Sequence, residues 1–186
     1  MTQDLLEVFQ SMDFSNKDEG TTLNDRVLII DGMNTFIRAF AAIPTMDENG
    51  NHIGGVTGFL KSVGYVIRKF KPSRVYVIFD GKGGSKRRRE IYPDYKSGRK
   101  PLTRLNRTYD MTTEQDEQDL MRYELVIVAK ALMKLPITTI TLDHVEADDI
   151  ISYIAQHVVE KGGESIIYST DKDFLQLVGD DIKVWN

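Results

Sequence analysis

The chain has 186 residues, of which 41% are hydrophobic and 28% charged, a globular composition that fits one α/β domain, or one and a half small ones, and excludes a coiled coil. It contains no cysteine, so disulfide frameworks, thiol nucleophiles and cysteine zinc sites are excluded. Its acidic N-terminus is unlike a secretory signal, and no run approaches the roughly 20 apolar residues of a membrane span. We therefore expect a soluble protein that acts in the cytoplasm.

The net charge of −4 argues against a polyanionic partner until its distribution is considered. The stretch from Lys82 to Arg107 holds ten basic residues and two acidic ones. The stretch from Asp110 to Glu124 holds six acidic residues and one basic one. The mean charge therefore conceals a strongly basic segment followed by an acidic one.

The first half of the chain predicts two strands that each end in an aspartate, with helices between them. Residues 1–25 are polar apart from a short apolar patch, and we interpret them as a loose N-terminal arm. The elements predicted next are a strand over 26–31, a helix over 33–43, a turn-rich loop over 46–55, a helix over 56–70 that Pro72 stops, and a strand over 74–80.

The second half continues the alternation after the basic segment. It predicts a helix over 118–135 before Pro136, a strand over 137–142, a helix over 146–161, a strand over 165–170, a short helix over 171–178 and a strand over 182–185. Such alternation indicates an α/β fold with a parallel sheet and helices on both faces. Because the chain ends directly after a strand, we expect the protein to continue elsewhere.

Seven acidic residues are predicted at one edge of this sheet. Asp31 and Asp80 end their strands, and Asp171 and Asp173 follow another strand two positions apart, a spacing that points both side chains the same way along an extended backbone. The first turn of the helix over 146–161 supplies the others. They are Glu146, Asp148 and Asp149.

Crowded carboxylates repel one another unless cations or protons neutralise them. Their oxygens suit Mg²⁺ or Mn²⁺, and two such ions can clamp a phosphodiester that is being cleaved. Setting the seven carboxylates aside leaves the rest of the chain at +3. The alternative is that a strand-end aspartate caps a helix and that first-turn acids complement a helix dipole. Four such features at one edge favour a metal site.

The histidines are isolated from one another and from these acids. We interpret His52, His144 and His157 as solvated or core-edge residues, and Asp143 as at most an outer-shell group.

The basic segment follows Asp80 directly, interleaves tyrosines with arginines and lysines, and is long for a connection within one domain. Aromatic rings that stack on bases beside cations that pair with phosphates are typical of nucleic-acid grooves. The alternative is a solvated charged loop. We predict a phosphate-binding flap, which the acidic stretch covers when no substrate is present. The predicted contact residues are Lys82, Lys86, Arg87, Arg88, Arg89, Tyr92, Tyr95, Lys100, Arg104 and Arg107.

Five blocks of the sequence resemble the 5′-nuclease superfamily of flap endonucleases, polymerase 5′-exonuclease domains and phage 5′-exonucleases, with the phage branch (phage ribonuclease H) most similar. They extend over about residues 26–185 and read "DGMNTFIRAF", "GGVTGFLKSVG", "VIFDGKGGSKRRREIYPDYKSGR", "VEADDIISYIA" and "YSTDKDFLQLV". The resemblance implies a PIN-like α/β fold over 26–186, with a basic helical arch over about 82–122 inserted after the second strand.

The resemblance also implies the chemistry, which is Mg²⁺- or Mn²⁺-dependent hydrolysis near 5′ ends or flaps of DNA, or of RNA in hybrids, during replication and repair. The seven acidic residues named above fall on the acidic positions of the family. Lys96 and Arg99 fall on the basic pair that engages the scissile phosphate. A phage-encoded protein of this kind would work in the cytoplasm of its host.

The chain departs from the family in one respect. The helix-hairpin-helix module that grips the duplex, and that carries further aspartates for the second of two metal ions, is expected to be absent. The second metal site would then be incomplete, and the missing half would either be a separate polypeptide or have been lost from a truncated gene. One alternative is therefore a non-catalytic or weakly active domain that binds branched or single-stranded DNA. Another alternative is a phosphoryl-transfer receiver or phosphatase, which leaves the basic arch without a role. A third is a Toprim-like site, which leaves Asp31 and Asp80 without a role.

Overall fold

The computed structural model describes residues 25–95, 105–106 and 113–186, except for the side chain of Arg87. The predicted arm lies almost wholly outside these residues, and so do several predicted site residues of the basic segment. They are Lys96, Arg99, Lys100, Arg104 and Arg107.

Strands and helices alternate along the described chain as the sequence predicts. The strands are β1 (Arg26–Asp31), β2 (Arg74–Asp80), β3 (Thr138–Leu142), β4 (Glu164–Tyr168) and β5 (Ile182–Trp185). The helices are α1 (Gly32–Ala42), α2 (Gly54–Phe70), α3 (Lys86–Ile91), α4 (Glu114–Leu132) and α5 (Ala147–Glu160), and a 3₁₀ helix spans Lys172–Leu177. None of these helices is long and apolar enough to cross a membrane.

The five strands form one parallel sheet in the order β3-β2-β1-β4-β5, which confirms the predicted fold class. The chain builds outward from β1 to β3 on one side and then returns to place β4 and β5 on the other. The order therefore reverses between β1 and β4. In open parallel sheets, ligands bind at the carboxyl ends of the strands beside such a switch point.

Strand β1 is buried between two hydrophobic clusters, one on each face of the sheet. Leu28 and Ile30 point into the cluster covered by α1, α2 and α4. Val27 and Ile29 point into the cluster covered by α5 and the 3₁₀ helix. All four side chains are fully buried, so an alternating strand pattern feeds both cores at once.

Helix α4 begins at Glu114, four residues before the predicted start at 118. The Thr113 hydroxyl accepts a hydrogen bond from the Asp116 amide at 3.1 Å, and the Thr113 amide donates to the Asp116 carboxylate at 3.0 Å. This reciprocal capping box stabilises a first turn with no apolar residues. The hydrophobic pattern alone therefore predicts a helix start that is too late in the chain.

Gly81 lets the end of β2 lie against the turn that follows β3. A Cβ atom at this position would be only 1.8 Å from the Leu142 carbonyl oxygen. Beyond Gly81, the Lys82 amide donates to Asp143 Oδ1 at 3.1 Å, and the His144 amide donates to the Lys82 carbonyl at 3.0 Å. The close approach fixes where the basic segment leaves the sheet.

We expect Gly81→Ala to lower the free energy of unfolding by about 1–3 kcal/mol, because the added methyl group overlaps backbone atoms that cannot rotate away. Urea titration measures the change. Gly179→Ala is the control, since a Cβ there meets no atom within 4 Å. Equal stability of the two variants would contradict the close approach.

Candidate functional site

Asp31 lies at the carboxyl end of β1, where it also caps α1. Its Oδ1 accepts a hydrogen bond from the Asn34 amide at 3.1 Å, and its Oδ2 accepts one from the Ser169 hydroxyl at 2.9 Å. Only 6% of the residue is exposed. Burial raises the pKa of Asp31, the two hydrogen bonds lower it, and the nearby charges of Asp80 and Asp171 raise it further. These three aspartates are thus close enough to interact electrostatically.

Ser169 and Asn34 join the ends of β1 and β4 across the switch point. The Ser169 hydroxyl, which donates to Asp31, accepts from the Asp171 amide at 3.0 Å. The Asn34 side-chain oxygen accepts from the amide and the hydroxyl of Thr170, at 3.1 and 2.9 Å. Neither residue was predicted to belong to the site, although their positions beside two predicted site aspartates were a signal.

The backbone is extended at Asp171 but enters the 3₁₀ helix at Lys172, so the strand-like alternation predicted for Asp171 and Asp173 is wrong. Asp171 caps the 3₁₀ helix, and its Oδ1 accepts from the Asp173 amide at 2.9 Å. The chain therefore turns between Asp171 and Asp173, and their side chains do not alternate as they would in a strand. Asp171 is half-buried and Asp173 is exposed.

Asp80 lies against the N-terminus of α5. Its Oδ1 accepts a hydrogen bond from the Ala147 amide at 2.9 Å, although the two residues are far apart in sequence. The amide groups at a helix N-terminus carry a partial positive charge that favours a carboxylate. This contact ties the end of β2 to the acidic turn of Glu146, Asp148 and Asp149.

Arg88 of α3 bridges two carboxylates of that turn. Its Nη1 contacts Glu146 and its Nη2 contacts Asp149, as expected for acids that share a helical face. The Tyr95 hydroxyl accepts from Arg88 Nη1 at 2.9 Å and donates to Glu146 Oε2 at 3.0 Å. Glu146 is only 3% exposed, so water reaches it little and Arg88 is a cation that balances its charge. Arg88 and Tyr95, predicted to contact nucleic acid, are engaged with predicted metal ligands.

The other described members of the predicted contact set face solvent. They are Lys82, Lys86, Arg89 and Tyr92, and the Lys86 ammonium lies 4.0 Å from the Glu90 carboxylate. Their predicted role in binding nucleic acid stays a prediction.

Several polar residues predicted to be at the surface are instead buried. His144 and His157 are exposed, but His52 is completely buried and contacts Glu124 of α4. Glu124 and Glu117 point into the protein, where Glu124 accepts from the Val56 amide and Glu117 accepts from the Asn106 amide. The cover of the basic segment by the acidic stretch stays a prediction. Helix burial rather than net charge decides where these acids lie.

The seven predicted metal ligands lie along the edge formed by the strand ends and α5. As their side chains stand, no three histidine or acidic residues in the described ranges form a group that could hold a metal ion. The donors nevertheless fit a hard divalent cation, because they are all carboxylate oxygens and the buried Asp31 is disfavoured as a lone anion. Their assignment as metal ligands remains a prediction.

We expect Asp31→Asn to stabilise the protein at neutral pH in the presence of a chelator. The raised pKa means that the folded state holds the Asp31 proton more tightly than the unfolded chain, so ionisation costs stability as the pH rises above about 3.9 and through the folded-state value. Urea titration should show the gain at neutral pH and none below about pH 4. Asp47→Asn should act in the opposite direction, because hydrogen bonds from Asn51 and Asn49 lower the pKa of Asp47.

We expect Arg88→Met to bind Mg²⁺ about tenfold more tightly, because it removes a cation that competes for Glu146 and Asp149 but keeps the apolar stem. Isothermal titration calorimetry measures the affinity. Lys86→Met, on the same short helix, should match the wild-type protein. Unchanged affinity in Arg88→Met would show that Arg88 and the metal ion do not compete.

Two known proteins are similar to this chain in sequence. The chain is 35% identical over 161 residues to the flap endonuclease Xni of Shewanella denitrificans, which covers 86% of this chain and 56% of that protein. It is 31% identical over 159 residues to a 5′-3′ exonuclease of Aquifex aeolicus, which covers 85% and 50%. The chain therefore spans about half the length of these relatives.

The structure also resembles that of the bacteriophage T5 flap endonuclease, solved as a complex with DNA and metal ions. The TM-score is 0.63 at 23% identity, over 86% of this chain and 54% of that one, which shows a common fold. Residues 26–186 match a family model described as "5′-3′ exonuclease, N-terminal resolvase-like domain". Since the match takes in all five strands and the switch-point edge, the chain belongs to the family of 5′-3′ exonuclease N-terminal domains.

Proposed function

We propose that this chain is the metal-dependent catalytic domain of a 5′-nuclease, which hydrolyses phosphodiester bonds near 5′ ends or flaps of DNA. The observation that supports it best is the meeting of acidic residues from β1, β2, α5 and the 3₁₀ helix at the switch-point edge, with a basic helix beside them. Family membership and the DNA complex of the T5 relative point to the same class of substrate.

The carboxylates divide into two groups that would hold Mg²⁺ or Mn²⁺. Asp31, Asp80 and Asp171 form the group that already interacts electrostatically. The second group comprises Glu146, Asp148 and Asp149 at the start of α5, and Arg88 contacts two of its members. Asp173 lies beside Asp171, whose Oδ1 accepts from the Asp173 amide. When bound, divalent cations polarise a phosphodiester and neutralise the charge that develops during its cleavage.

The basic segment supplies the binding surface for the nucleic acid in this proposal. Lys82, Lys86 and Arg89 are exposed cations on one side of the acidic edge, and Tyr92 offers an exposed ring for stacking. We propose the same role for Arg87, Lys100, Arg104 and Arg107, and contact with the scissile phosphate for Lys96 and Arg99. Affinity for DNA should then fall steeply with salt.

A second candidate is salt-sensitive binding to branched or single-stranded DNA without turnover. The contact of Arg88 with Glu146 and Asp149 favours it, because an internal cation already pairs with two of the carboxylates. In the nuclease, a divalent ion would displace Arg88 from these two carboxylates. In a domain that only binds DNA, the nucleic acid would displace it.

The deciding experiment follows a labelled 5′-flap DNA with the full chain in Mg²⁺ or Mn²⁺. Asp80→Asn removes the charge but keeps an oxygen for the Ala147 amide, so the fold is retained. We expect it to slow cleavage roughly 10²–10³-fold, the loss typical when one electrostatic stabiliser of a transition state is removed. Asp180→Asn, an exposed acid beyond the 3₁₀ helix, should cleave like the wild type.

Calorimetry on the same variants gives a second measurement. Weaker divalent binding by Asp80→Asn than by Asp180→Asn supports the proposed site. DNA binding with neither cleavage nor divalent binding would overturn the nuclease proposal in favour of the second candidate, as would cleavage that Asp80→Asn leaves unchanged.

A further inference from the structure

A buried polar network lies away from the acidic edge, where the basic segment returns to the core. Its side chains are those of His52, Asn106, Glu117 and Glu124, of which Glu117 is 4% exposed and the others are fully buried. Buried polar groups are costly unless hydrogen bonds satisfy them, so such a network fixes its members in position. Nothing in the proposed chemistry uses these residues.

Asn106 lies at the C-terminal end of the basic segment, next to Arg107. Its backbone amide donates to Glu117 Oε1 at 2.5 Å, and its side-chain Nδ2 donates to the Phe40 carbonyl at 2.6 Å. The preceding Leu105 packs against the hydrophobic cluster of α1, α2 and α4. These two residues therefore anchor the end of the basic segment that lies farther along the chain from Asp80.

The ring nitrogen Nε2 of His52 faces two partners of opposite polarity. The Ile43 carbonyl oxygen lies 2.9 Å away, and Asn106 Nδ2 lies 3.0 Å away. The other ring nitrogen, Nδ1, lies 2.7 Å from Glu124 Oε1. An Asn106 amide turned the other way would place its oxygen against the Phe40 carbonyl, so Nδ2 is the group that faces His52.

The protonation state of His52 therefore selects the partner of Nε2. In the neutral ring with its proton on Nδ1, that proton is donated to Glu124 and Nε2 accepts from Asn106. In the imidazolium, Nε2 carries a proton that the Ile43 carbonyl can accept. The Asn106 amide then faces another donor, and its hydrogen bond to His52 is lost.

We propose that His52 is a positioning residue for the basic segment: in its neutral form it helps to hold the segment's C-terminal end through Asn106, and on protonation that hold weakens while the Asn106 bonds to Glu117 and Phe40 remain. The link to DNA rests on the proposed function, because it assumes that the basic segment binds the nucleic acid. Acidification would then loosen one anchor of the segment while leaving the Lys82–Asp143 anchor unchanged.

The groups around the ring are consistent with a change of partner in place. Glu124 from α4 is the acidic group in contact with the ring, and Glu117 from the same helix is reached through Asn106. Burial raises the pKa of Glu124, and the hydrogen bond from His52 is the largest effect that opposes the rise. The Phe40 ring of α1 makes an edge contact with the imidazole. Gly54 of α2 also lies against it, since a Cβ there would be 2.7 Å from Nε2. This tight packing leaves the imidazole little room to turn.

The first test reads the His52 ring directly by ¹⁵N NMR on the full chain, without metal or DNA. Across a pH series we expect a protonated Nδ1 and a bare Nε2 in the neutral ring, and both nitrogens protonated in the imidazolium. A bare Nδ1 with a protonated Nε2 at alkaline pH would overturn the proposal, because Asn106 could not then donate to the ring.

The second test measures hydrogen exchange of the Asn106 backbone amide, with rates corrected for the intrinsic effect of pH. In the wild type, protection should fall about fivefold to tenfold on acidification, the ratio expected for one buried hydrogen bond. His52→Gln should abolish this pH dependence, and Asn106→Ala should lower the protection of residue 106 at both pH values. His157→Gln, a change at an exposed histidine that stacks on Tyr153, should respond like the wild type. Identical pH responses in His52→Gln and His157→Gln would contradict the proposal.

A final comparison separates this inference from the proposed function. Single-stranded DNA affinity of the wild type and His52→Gln is measured at both pH values in the presence of a chelator. Weakening on acidification in the wild type alone supports the link between the anchor and DNA binding. If the exchange results hold but affinity is unaffected, the anchor stands and the role of the basic segment in binding DNA is overturned.

Discussion

The burial of β1 is the constraint on which the rest of the structure depends. Its apolar residues face two hydrophobic clusters at once, so the strand must lie in the middle of the sheet. The residue that ends it, Asp31, is then drawn into a poorly hydrated position at the switch point. A carboxylate in such surroundings is stabilised by hydrogen bonds and by cations, which is why its neighbours are the Asn34 amide and the Ser169 hydroxyl.

The carboxylates of the acidic edge are stabilised by two kinds of partner, backbone amides and one arginine. Asp31, Asp80 and Asp171 each accept a hydrogen bond from a backbone amide of a helix that begins beside them. Glu146 and Asp149 share the positive charge of Arg88, which belongs to the basic segment. The segment proposed to bind DNA and the carboxylates proposed to bind metal are therefore coupled, because moving Arg88 leaves a buried glutamate without its cation.

The basic segment is held at both ends, by different means. At its start, backbone hydrogen bonds and the close approach of Gly81 tie it to the turn after β3. Near its end, Asn106 is held in a buried network with His52.

The sequence by itself determined the alternation of strands and helices, the parallel sheet and the aspartates that end β1 and β2, because apolar periodicity and chain order are local properties. The early start of α4 was also readable, from the spacing of Thr113 and Asp116. Only the tertiary structure decided the strand order, the pairing of Ser169 with Asp31, the reach of Arg88 to Glu146 and the burial of His52 beside Asn106. These contacts join residues that are far apart in the chain, and their partners are chosen by packing, which leaves no periodic trace in a single sequence.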